Sequence, residues 1–205
     1  MIIHEDKLIF VHVPKSGGTS IEKFFLDRHK VYCNWDKFYP LFSLSKKDKE
    51  KYMLQPGTHK VFGTFPEEYK NDYFSFGLTR NPWDKMVSCY KYFKKDLLGI
   101  SFKNYIFCSA SDFIELPNNK NFFKKVHFQH QYKFLKGCNF IGRYENLQED
   151  FNIVCDKIGI PRQELPHENA TKHTHYSEYY DDETREIVAE IYAKDIEYFG
   201  YEFGE

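Results

Sequence analysis

The sequence lacks the hydrophobic run of roughly 18 or more residues that a membrane-spanning helix requires. Its N-terminus carries His4, Glu5 and Asp6 where a signal peptide would be apolar. Its five cysteines are scattered and include no CxxC pair, so their spacing indicates neither a disulfide framework nor a zinc-binding motif. From these absences we expect a cytoplasmic protein with reduced thiols and no membrane span.

The sequence also lacks an excess of charge of either sign. It has 29 lysines and arginines against 30 aspartates and glutamates, and this balance gives no indication of a nucleic-acid or membrane-surface partner. No internal repeat or low-complexity linker divides the 205 residues, a length that suits one well-packed domain. We therefore expect a single domain over residues 1–205, in which any site for an anion is local.

The sequence does contain three units in which a short apolar strand precedes an amphipathic helix, at residues 7–28, 73–95 and 138–158. The predicted strands are 7–13, 73–79 and 138–142. Alternating strands and helices of this kind favour a parallel sheet that is covered by helices. The predicted fold class is thus α/β, a P-loop-like three-layer fold with a central parallel sheet flanked by helices.

Helix boundaries are marked by residues with known preferences for helix ends. Asn81 suits the cap and Pro82 the first position of the second helix. Asn146 and Glu149 resemble a capping box at the start of the third helix. A final helix is predicted over about 182–199 from its apolar spacing.

A loop rich in glycine and hydroxyl groups joins the first strand to the first helix. It comprises Lys15, Ser16, Gly17, Gly18, Thr19 and Ser20. Unpaired backbone N–H groups and the helix dipole attract anions to the start of a helix, and glycine lets an anion approach the main chain closely. Thr19 and Ser20 add hydroxyl donors, and Lys15 adds a full positive charge. The loop is therefore predicted to bind phosphate, with an ordinary polar turn as the alternative.

The order of residues in this loop differs from the Walker A pattern, in which the lysine follows the last glycine. Here Lys15 precedes both glycines, and a second motif, TRNPWDKMVSCY, follows at 79–90. This combination resembles the sulfotransferases, in which HVPKSGGTS matches the 5′-phosphosulfate loop and the stretch from Arg80 to Ser88 matches the 3′-phosphate site. FIGRYENLQEDF, GIPRQELPHENAT and the C-terminal segment are also similar to the carbohydrate-type family, so that only about 30–58 is unmatched.

The resemblance implies a donor, 3′-phosphoadenosine-5′-phosphosulfate (PAPS), whose sulfuryl group is transferred to an acceptor hydroxyl or amine. Lys15 is then expected at the bridging oxygen, where negative charge develops as the sulfur–oxygen bond breaks, with N–H donors from Gly17 to Ser20. Arg80 and Ser88 are expected to bind the 3′-phosphate. The alternatives are a surface ion pair for Arg80 and helix packing for Ser88.

A general base is needed to take the proton of the acceptor hydroxyl. The relatives usually place a histidine or glutamate between the two donor motifs, where this chain offers His59, Glu67 and Glu68. Some relatives carry a histidine where this sequence reads Gly63–Thr64, and that departure leaves the choice of base open. We favour His59, for which a surface histidine before a strand is the alternative.

Other basic side chains carry weaker predictions. Lys172 or His173 is expected near the donor phosphates, because this loop follows the third strand unit in the relatives too. Arg143 suits either the donor or acceptor site or an ion pair with Glu145. We expect no metal site, because no cysteine pair accompanies the remaining histidines, which are His127, His130, His167 and His175.

The motifs favour a sulfotransferase whose partners are a small-molecule nucleotide donor and a glycan or other hydroxyl acceptor. The alternative is a nucleotide-dependent kinase or other phosphoryl transferase on a similar fold. A kinase needs Mg²⁺ held by an acidic residue at a strand end, and the predicted strand 73–79 contains no acid. A non-catalytic nucleotide-binding module is a third possibility, against which Lys15 counts.

Overall fold

The computed structural model of the chain describes residues 1–30, 59–93, 99–110, 126–166 and 174–205, with the side chains of 108–110 excepted. Lys172 and His173 lie outside these residues. Two compact units are distinguished, Met1–Thr79 with Lys133–Asn169 and Arg80–Tyr132 with Ala170–Glu205. The single domain over residues 1–205 stays a prediction.

The described residues of the first unit include a four-stranded sheet. Its strands, in the order in which they lie side by side, are β1 (Ile2–Ile3), β2 (Leu8–Val11), β3 (Phe74–Thr79) and β4 (Phe140–Arg143). The pairs β2–β3 and β3–β4 are parallel, which confirms the predicted parallel sheet, whereas β1 is an additional strand that pairs antiparallel with β2. Val11 pairs with Gly77, and Thr79 pairs with Arg143, so the three carboxyl ends lie along one edge.

The helices follow the strands as the three predicted units require. Among the described residues they are, in chain order, α1 (Gly18–Arg28), α2 (Glu67–Asp72), α3 (Pro82–Phe93), α4 (Phe102–Ala110), α5 (Gln131–Leu135), α6 (Leu147–Ile158), α7 (Asp182–Ile191) and α8 (Ala193–Phe199). Thus β2 precedes α1, β3 precedes α3 and β4 precedes α6. In the part of the chain that the structure describes, no helix has the length and apolar character needed to cross a membrane.

The sheet of the first unit has helices on both faces, which confirms the predicted fold class. α1 and α6 meet on one face through Phe24 and Phe151, whose ring centroids are 4.7 Å apart, in the same buried cluster as Phe10 of β2. On the other face, a Cβ added at Gly77 would overlap the side chain of Leu135 in α5. Glycine at this point of β3 therefore allows the close approach of α5.

The second unit has a largely aromatic core between α3, α4 and α7. Its buried members include Trp83, Tyr90, Phe102, Tyr105, Val188 and Tyr192. α3 starts at Pro82 as predicted, and the side-chain oxygen of Asn81 accepts a hydrogen bond from the main-chain N of Trp83 at 3.1 Å. This cap fixes the path of the chain directly after Arg80.

Two predicted details of the helices are wrong. Asn146 does not cap α6 with its side chain, because its backbone (φ −115°, ψ 32°) departs from the extended conformation that a capping residue needs. The final helix is not continuous over 182–199, since it breaks at Tyr192 into α7 and α8. The Tyr192 ring is held in the aromatic core, and its hydroxyl donates to the main-chain O of Phe128 at 3.1 Å.

The described cysteines fit the predicted reduced thiols. Cys138 and Cys155 are free of disulfides. Burial raises the pKa of the Cys138 thiol to about 12, which suppresses the reactive thiolate. The thiol of Cys138 is thus a packing group.

Candidate active site

The loop between β2 and α1 turns through two left-handed residues. Lys15 has φ +65° and Gly17 has φ +76°. Glycine adopts this conformation readily, whereas for a residue with a side chain it costs roughly 1 to 2 kcal/mol. Such strain persists only where the surrounding structure enforces it, and it is concentrated at functional sites. The lysine of the predicted donor loop is therefore held in a costly backbone conformation.

The first turn of α1 carries no negative charge. Gly17 is the capping residue and makes no side-chain capping bond, and the first turn has no acidic residue. α7 differs, because Asp181 caps it and Asp182 and Glu183 lie in its first turn. The N-terminal end of a helix dipole is positive, and in α1 no first-turn carboxylate offsets it. The predicted donor residues 15–20 lie directly before and within this turn.

A buried histidine lies against the same turn. Nδ1 of His12 donates a hydrogen bond to Oε1 of Glu22 at 2.8 Å, and both side chains are more than nine-tenths buried. A Cβ added at Gly18 would overlap the His12 imidazole, so glycine is required for the ring to pack here. The sequence motifs did not predict this pair. Glu22 could have indicated it, because a carboxylate next to the core residue Ile21 needs a partner once it is buried.

His59 lies beside the end of β2. Its Nδ1 donates to the main-chain O of His12 at 3.1 Å, and the two imidazoles meet edge to face with centroids 4.7 Å apart. A carbonyl oxygen only accepts hydrogen bonds, so neutral His59 carries its proton on Nδ1 and its lone pair on Nε2. The predicted base thus has a defined tautomer and lies next to the residue from which the loop departs.

The two alternative bases, Glu67 and Glu68, start α2 and are exposed. Glu67 forms an ion pair with Lys70, and a hydrogen bond to Glu68 is the main cause that raises the pKa of Tyr69. These contacts lie within α2 itself. At Gly63, where some relatives carry a histidine, an added Cβ would meet no atom, so this position borders open space.

The segment after β4 contacts the loop. A Cβ added at Gly17 would lie 3.1 Å from Cδ2 of Tyr144 and 3.5 Å from Cδ1 of Leu147. The main-chain N of Arg143 donates to Oδ2 of Asp150, which ties the end of β4 to α6. Tyr144 and Leu147 were not predicted to contact the loop, and the role of the half-buried Arg143 side chain stays a prediction.

Arg80 and Ser88, the predicted 3′-phosphate ligands, belong to the second unit. Arg80 is 6% exposed, and its Nε donates to Oδ2 of Asp84 at 2.8 Å, a bond that restrains the plane of the guanidinium. Ser88 is also buried. Asp84 and Ser88 are four residues apart in α3 and lie on one face of that helix, and Arg80, which precedes the helix, is bonded to Asp84 on this face. The ion pair of Arg80 is therefore a buried one, with Ser88 two turns further along.

His127 and His130 lie in the second unit, His127 against an aromatic ring and His130 near a carboxylate. His127 stacks on Tyr92 with ring centroids 5.5 Å apart, and Nδ1 of His130 lies 3.9 Å from Oδ2 of Asp195. Among the described residues, no cluster of three or more histidine, cysteine, aspartate or glutamate side chains is arranged to hold a metal ion. The predicted phosphate contact of Lys172 lies outside the described residues.

Comparison with known proteins identifies the family. A profile of the family described as "Sulfotransferase family" matches residues 1–202. An uncharacterized protein of Archaeoglobus fulgidus is 37% identical over 93 residues, which are 44% of this chain and 72% of that protein. The crystal structure of a sulfotransferase from Alicyclobacillus acidocaldarius aligns with 93% of this chain and 83% of its own, at 13% identity and a TM-score of 0.42. Because the family profile spans nearly all of its residues, this chain is a member of the sulfotransferase family.

Proposed function

We propose that this chain transfers the sulfuryl group of PAPS to a hydroxyl group of a carbohydrate. The family supports sulfuryl transfer as the reaction class. The finer proposal depends on one arrangement: the chain enters the start of α1 through a left-handed Lys15, and His59 is bonded to the main chain of His12, whose ring packs against that start. A cation, a set of backbone N–H donors and a base are what this transfer needs.

The 5′-phosphosulfate is assigned to the loop of the first unit. Its proposed ligands are Lys15, Ser16, Gly17, Gly18, Thr19 and Ser20. The sulfate and phosphate oxygens accept hydrogen bonds from the N–H groups at the start of α1, where no carboxylate in the first turn competes. Lys15 is assigned to the oxygen that bridges sulfur and phosphorus.

The proposed transfer is a single displacement at sulfur. Nε2 of His59 takes the proton of the acceptor hydroxyl, and the hydroxyl oxygen forms a new bond to sulfur. The bond between sulfur and the bridging oxygen breaks, and its electron pair stays on the phosphate. The ammonium of Lys15 stabilises that growing charge, which makes it the group whose contribution is largest in the transition state. The products are a sulfate ester and adenosine 3′,5′-bisphosphate.

The 3′-phosphate is assigned to Arg80 and Ser88 of the second unit. Because Nε of Arg80 is bonded to Asp84, the phosphate contact is assigned to the two terminal nitrogens of the guanidinium. Lys172 is proposed as a further phosphate ligand from the sequence alone. The carbohydrate acceptor is proposed from the similarity of the later segments to the carbohydrate-type family.

The test of the reaction is transfer of labelled sulfuryl from PAPS to a panel of glycans, phenols, lipids and amines. We expect a labelled glycan ester and no transfer from ATP labelled at its terminal phosphate. Transfer from ATP instead would replace this proposal by the kinase alternative. Transfer to a phenol or amine alone would retain the donor and exclude the carbohydrate acceptor.

The donor is tested by calorimetry with adenosine 3′,5′-bisphosphate and adenosine 5′-monophosphate. We expect much tighter binding of the bisphosphate, and Arg80→Ala should weaken that nucleotide alone by about 2 to 4 kcal/mol. Arg162→Ala is the matched control, because Arg162 forms an exposed ion pair with Asp156 in the first unit. Equal affinity of the wild type for both nucleotides would remove the 3′-phosphate assignment.

A further inference from the structure

The main chain of Arg80 is held by one buried side chain. Oε1 of Gln131 accepts a hydrogen bond from the main-chain N of Arg80 at 2.9 Å, and Nε2 of Gln131 donates to the main-chain O of Arg80 at 2.7 Å. The peptide N–H only donates and the carbonyl only accepts, so these two bonds define the orientation of the amide. Gln131 is fully buried. Gln131, which is 51 positions away in the sequence, thus bonds the main-chain groups on both sides of the Arg80 Cα.

Gln131 is itself held by a buried carboxylate. Oδ2 of Asp195 accepts from the main-chain N of Gln131 at 2.8 Å, and Oδ1 accepts from the main-chain N of Tyr132 at 3.0 Å. Asp195 lies in the first turn of α8 and is fully buried. Hydrogen bonds from backbone N–H groups to a charged acceptor are stronger than neutral ones. The start of α5 is therefore fixed to α8.

A buried lysine holds the same segment from α3. Nζ of Lys85 donates to the main-chain O of Gln129 at 2.9 Å and lies 5.3 Å from the ring centroid of Tyr192. Burial lowers the pKa of Lys85, while Cys89 and Asp195 act in the opposite direction. Two buried polar side chains, Lys85 of α3 and Asp195 of α8, thus hold residues 129–132 from two helices.

We infer that Gln131, held by Asp195 and Lys85, is a positioning residue that sets the backbone of Arg80 and thereby the selectivity for a 3′-phosphorylated nucleotide. The inference rests on the proposed function, because it assumes that Arg80 binds the 3′-phosphate. An arginine recognises phosphate through a rigid fork, so a small displacement of its main chain misaligns both terminal nitrogens. Asp84 restrains the guanidinium, and Gln131 restrains the backbone that carries it.

The experiment compares two nucleotides on four proteins by calorimetry: wild type, Gln131→Ala, Arg80→Ala and the double variant. Gln131→Ala should weaken adenosine 3′,5′-bisphosphate about ten-fold, with adenosine 5′-monophosphate changed by less than about two-fold. In the Arg80→Ala background, Gln131→Ala should have no further effect on the ratio of the two affinities, because Gln131 acts through Arg80. A purely structural role would weaken both nucleotides or add to the loss in the double variant.

Gln148→Ala is the matched control. Gln148 also bonds main-chain groups with both ends of its amide, accepting from the N of Leu165 and donating to the O of Gln163, but in the first unit. Gln148→Ala should leave the ratio of the affinities for the two nucleotides unchanged. Asp195→Asn, which removes the charge and keeps the shape, is the second variant if Gln131→Ala does not fold, and it should lower the ratio in the same direction.

The outcomes separate the inference from the proposed function. A wild type that does not distinguish the two nucleotides overturns both. A wild type that distinguishes them, with selectivity lost in Arg80→Ala and kept in Gln131→Ala and Asp195→Asn, overturns the positioning role alone. Selectivity lost in all three variants, with no added loss in the double variant, supports it.

Discussion

Among single residues, Lys15 combines a strained backbone with a positively charged side chain. Its left-handed backbone is costly, and its ammonium is the charge of the proposed donor loop. A turn alone would be better served by glycine, which Gly17 provides two residues later at φ +76°. In the proposed function, the ammonium group is what a lysine adds at this position.

Lys15→Ala should lower turnover on the order of 10²-fold or more while affinity for adenosine 3′,5′-bisphosphate changes far less. The reason is that the ammonium interacts most strongly with the bridging oxygen once charge develops there. Steady-state kinetics beside calorimetry separates the two effects. Near-normal turnover with weaker binding would leave Lys15 as a phosphate anchor only.

Lys15→Gly and Lys7→Gly form a matched pair of controls. Lys7 also has a positive φ of +45° and is an exposed residue between β1 and β2. In both variants relief of the backbone strain is offset by the greater freedom of glycine in the unfolded chain, so stability should stay within about 1 kcal/mol of the wild type. Only Lys15→Gly should lose turnover.

His59→Ala should lower turnover by roughly 10² to 10⁴-fold through loss of the base, with nucleotide affinity nearly unchanged. The hydrogen bond from Nδ1 to the main-chain O of His12 supports this role, because it leaves the lone pair on Nε2. The controls are Glu67→Gln and Glu68→Gln, which should retain activity. A loss of the same size in either glutamine variant would transfer the role of base to that glutamate.

Among helices and strands, the starts of α1 and α7 show opposite designs. α7 has an aspartate cap and acidic residues in its first turn, as an ordinary stabilised helix does. α1 has neither, and the imidazole of His12 packs against its first residue instead. A helix without acidic residues in its first turn leaves that turn available to an anionic ligand.

Gly18→Ala should destabilise the fold by roughly 1 to 3 kcal/mol, because the added Cβ overlaps the His12 imidazole. At an unhindered helical site the same change would stabilise by about 1 kcal/mol, so the sign of the effect is informative. Urea unfolding measures it. Gly63→Ala, where an added Cβ meets no atom, is the control and should be close to neutral.

The cause of the Gly18 effect can be verified in a double variant. His12→Ala removes the ring that the new Cβ would meet, so the loss in His12→Ala/Gly18→Ala should be clearly smaller than the sum of the single losses. Additive losses would show that Gly18 is required for another reason.

Asp181→Ala should lower the thermal midpoint by a few degrees at neutral pH, because it removes the cap of α7. Hydrogen bonds from Lys103, then from Thr184, hold the pKa of Asp181 well below its ordinary value. The folded state therefore binds fewer protons than the unfolded chain, and the stabilisation is fully present above the ordinary aspartate pKa and lost as pH falls through the folded-state value.

Melting curves over a series of pH values test this sign. The difference between wild type and Asp181→Ala should shrink as the pH is lowered below about 4. Glu186→Ala, a change at an exposed carboxylate further along α7, should show no comparable dependence. A difference for Asp181→Ala that stays constant into strong acid would contradict the assignment.

Over the whole molecule, features set by residues that are close in the sequence were predicted more accurately than features set by residues that are far apart. Three predictions based on neighbouring residues or short motifs are confirmed: the strand–helix units, the cap at Asn81 and the family. The two-residue strand β1 is too short to show a period of alternation. The continuous final helix was wrong because packing of Tyr192 in the core overrides local preference.

The contacts of the candidate site were harder to predict than the strands and helices. The loop motif was visible, but His12 and His59 meet across 47 positions, and Gln131 and Asp195 across 64. Polar contacts over such distances follow from the path of the chain, which periodicity does not define. Lys15, His59, Arg80 and Ser88 stay predictions as site residues, and variants of Lys15, His59 and Arg80 test the first three.

The complete reaction should proceed without a divalent metal ion. The lysine, the backbone N–H groups and the helix dipole already supply the positive potential that a metal supplies in kinases. Turnover with PAPS should be unchanged in excess chelator. Loss of turnover that Mg²⁺ restores would instead support phosphoryl transfer.

The break at Tyr192 has a consequence for how this protein tolerates changes in length. Each added residue turns a helix by about 100°, so one insertion between Tyr192 and Asp195 would carry the carboxylate away from the two N–H groups it binds. Substitutions on the exposed face of α8, at Glu197 for instance, leave that geometry alone. Insertions and deletions that separate this chain from its relatives should therefore avoid this three-residue interval.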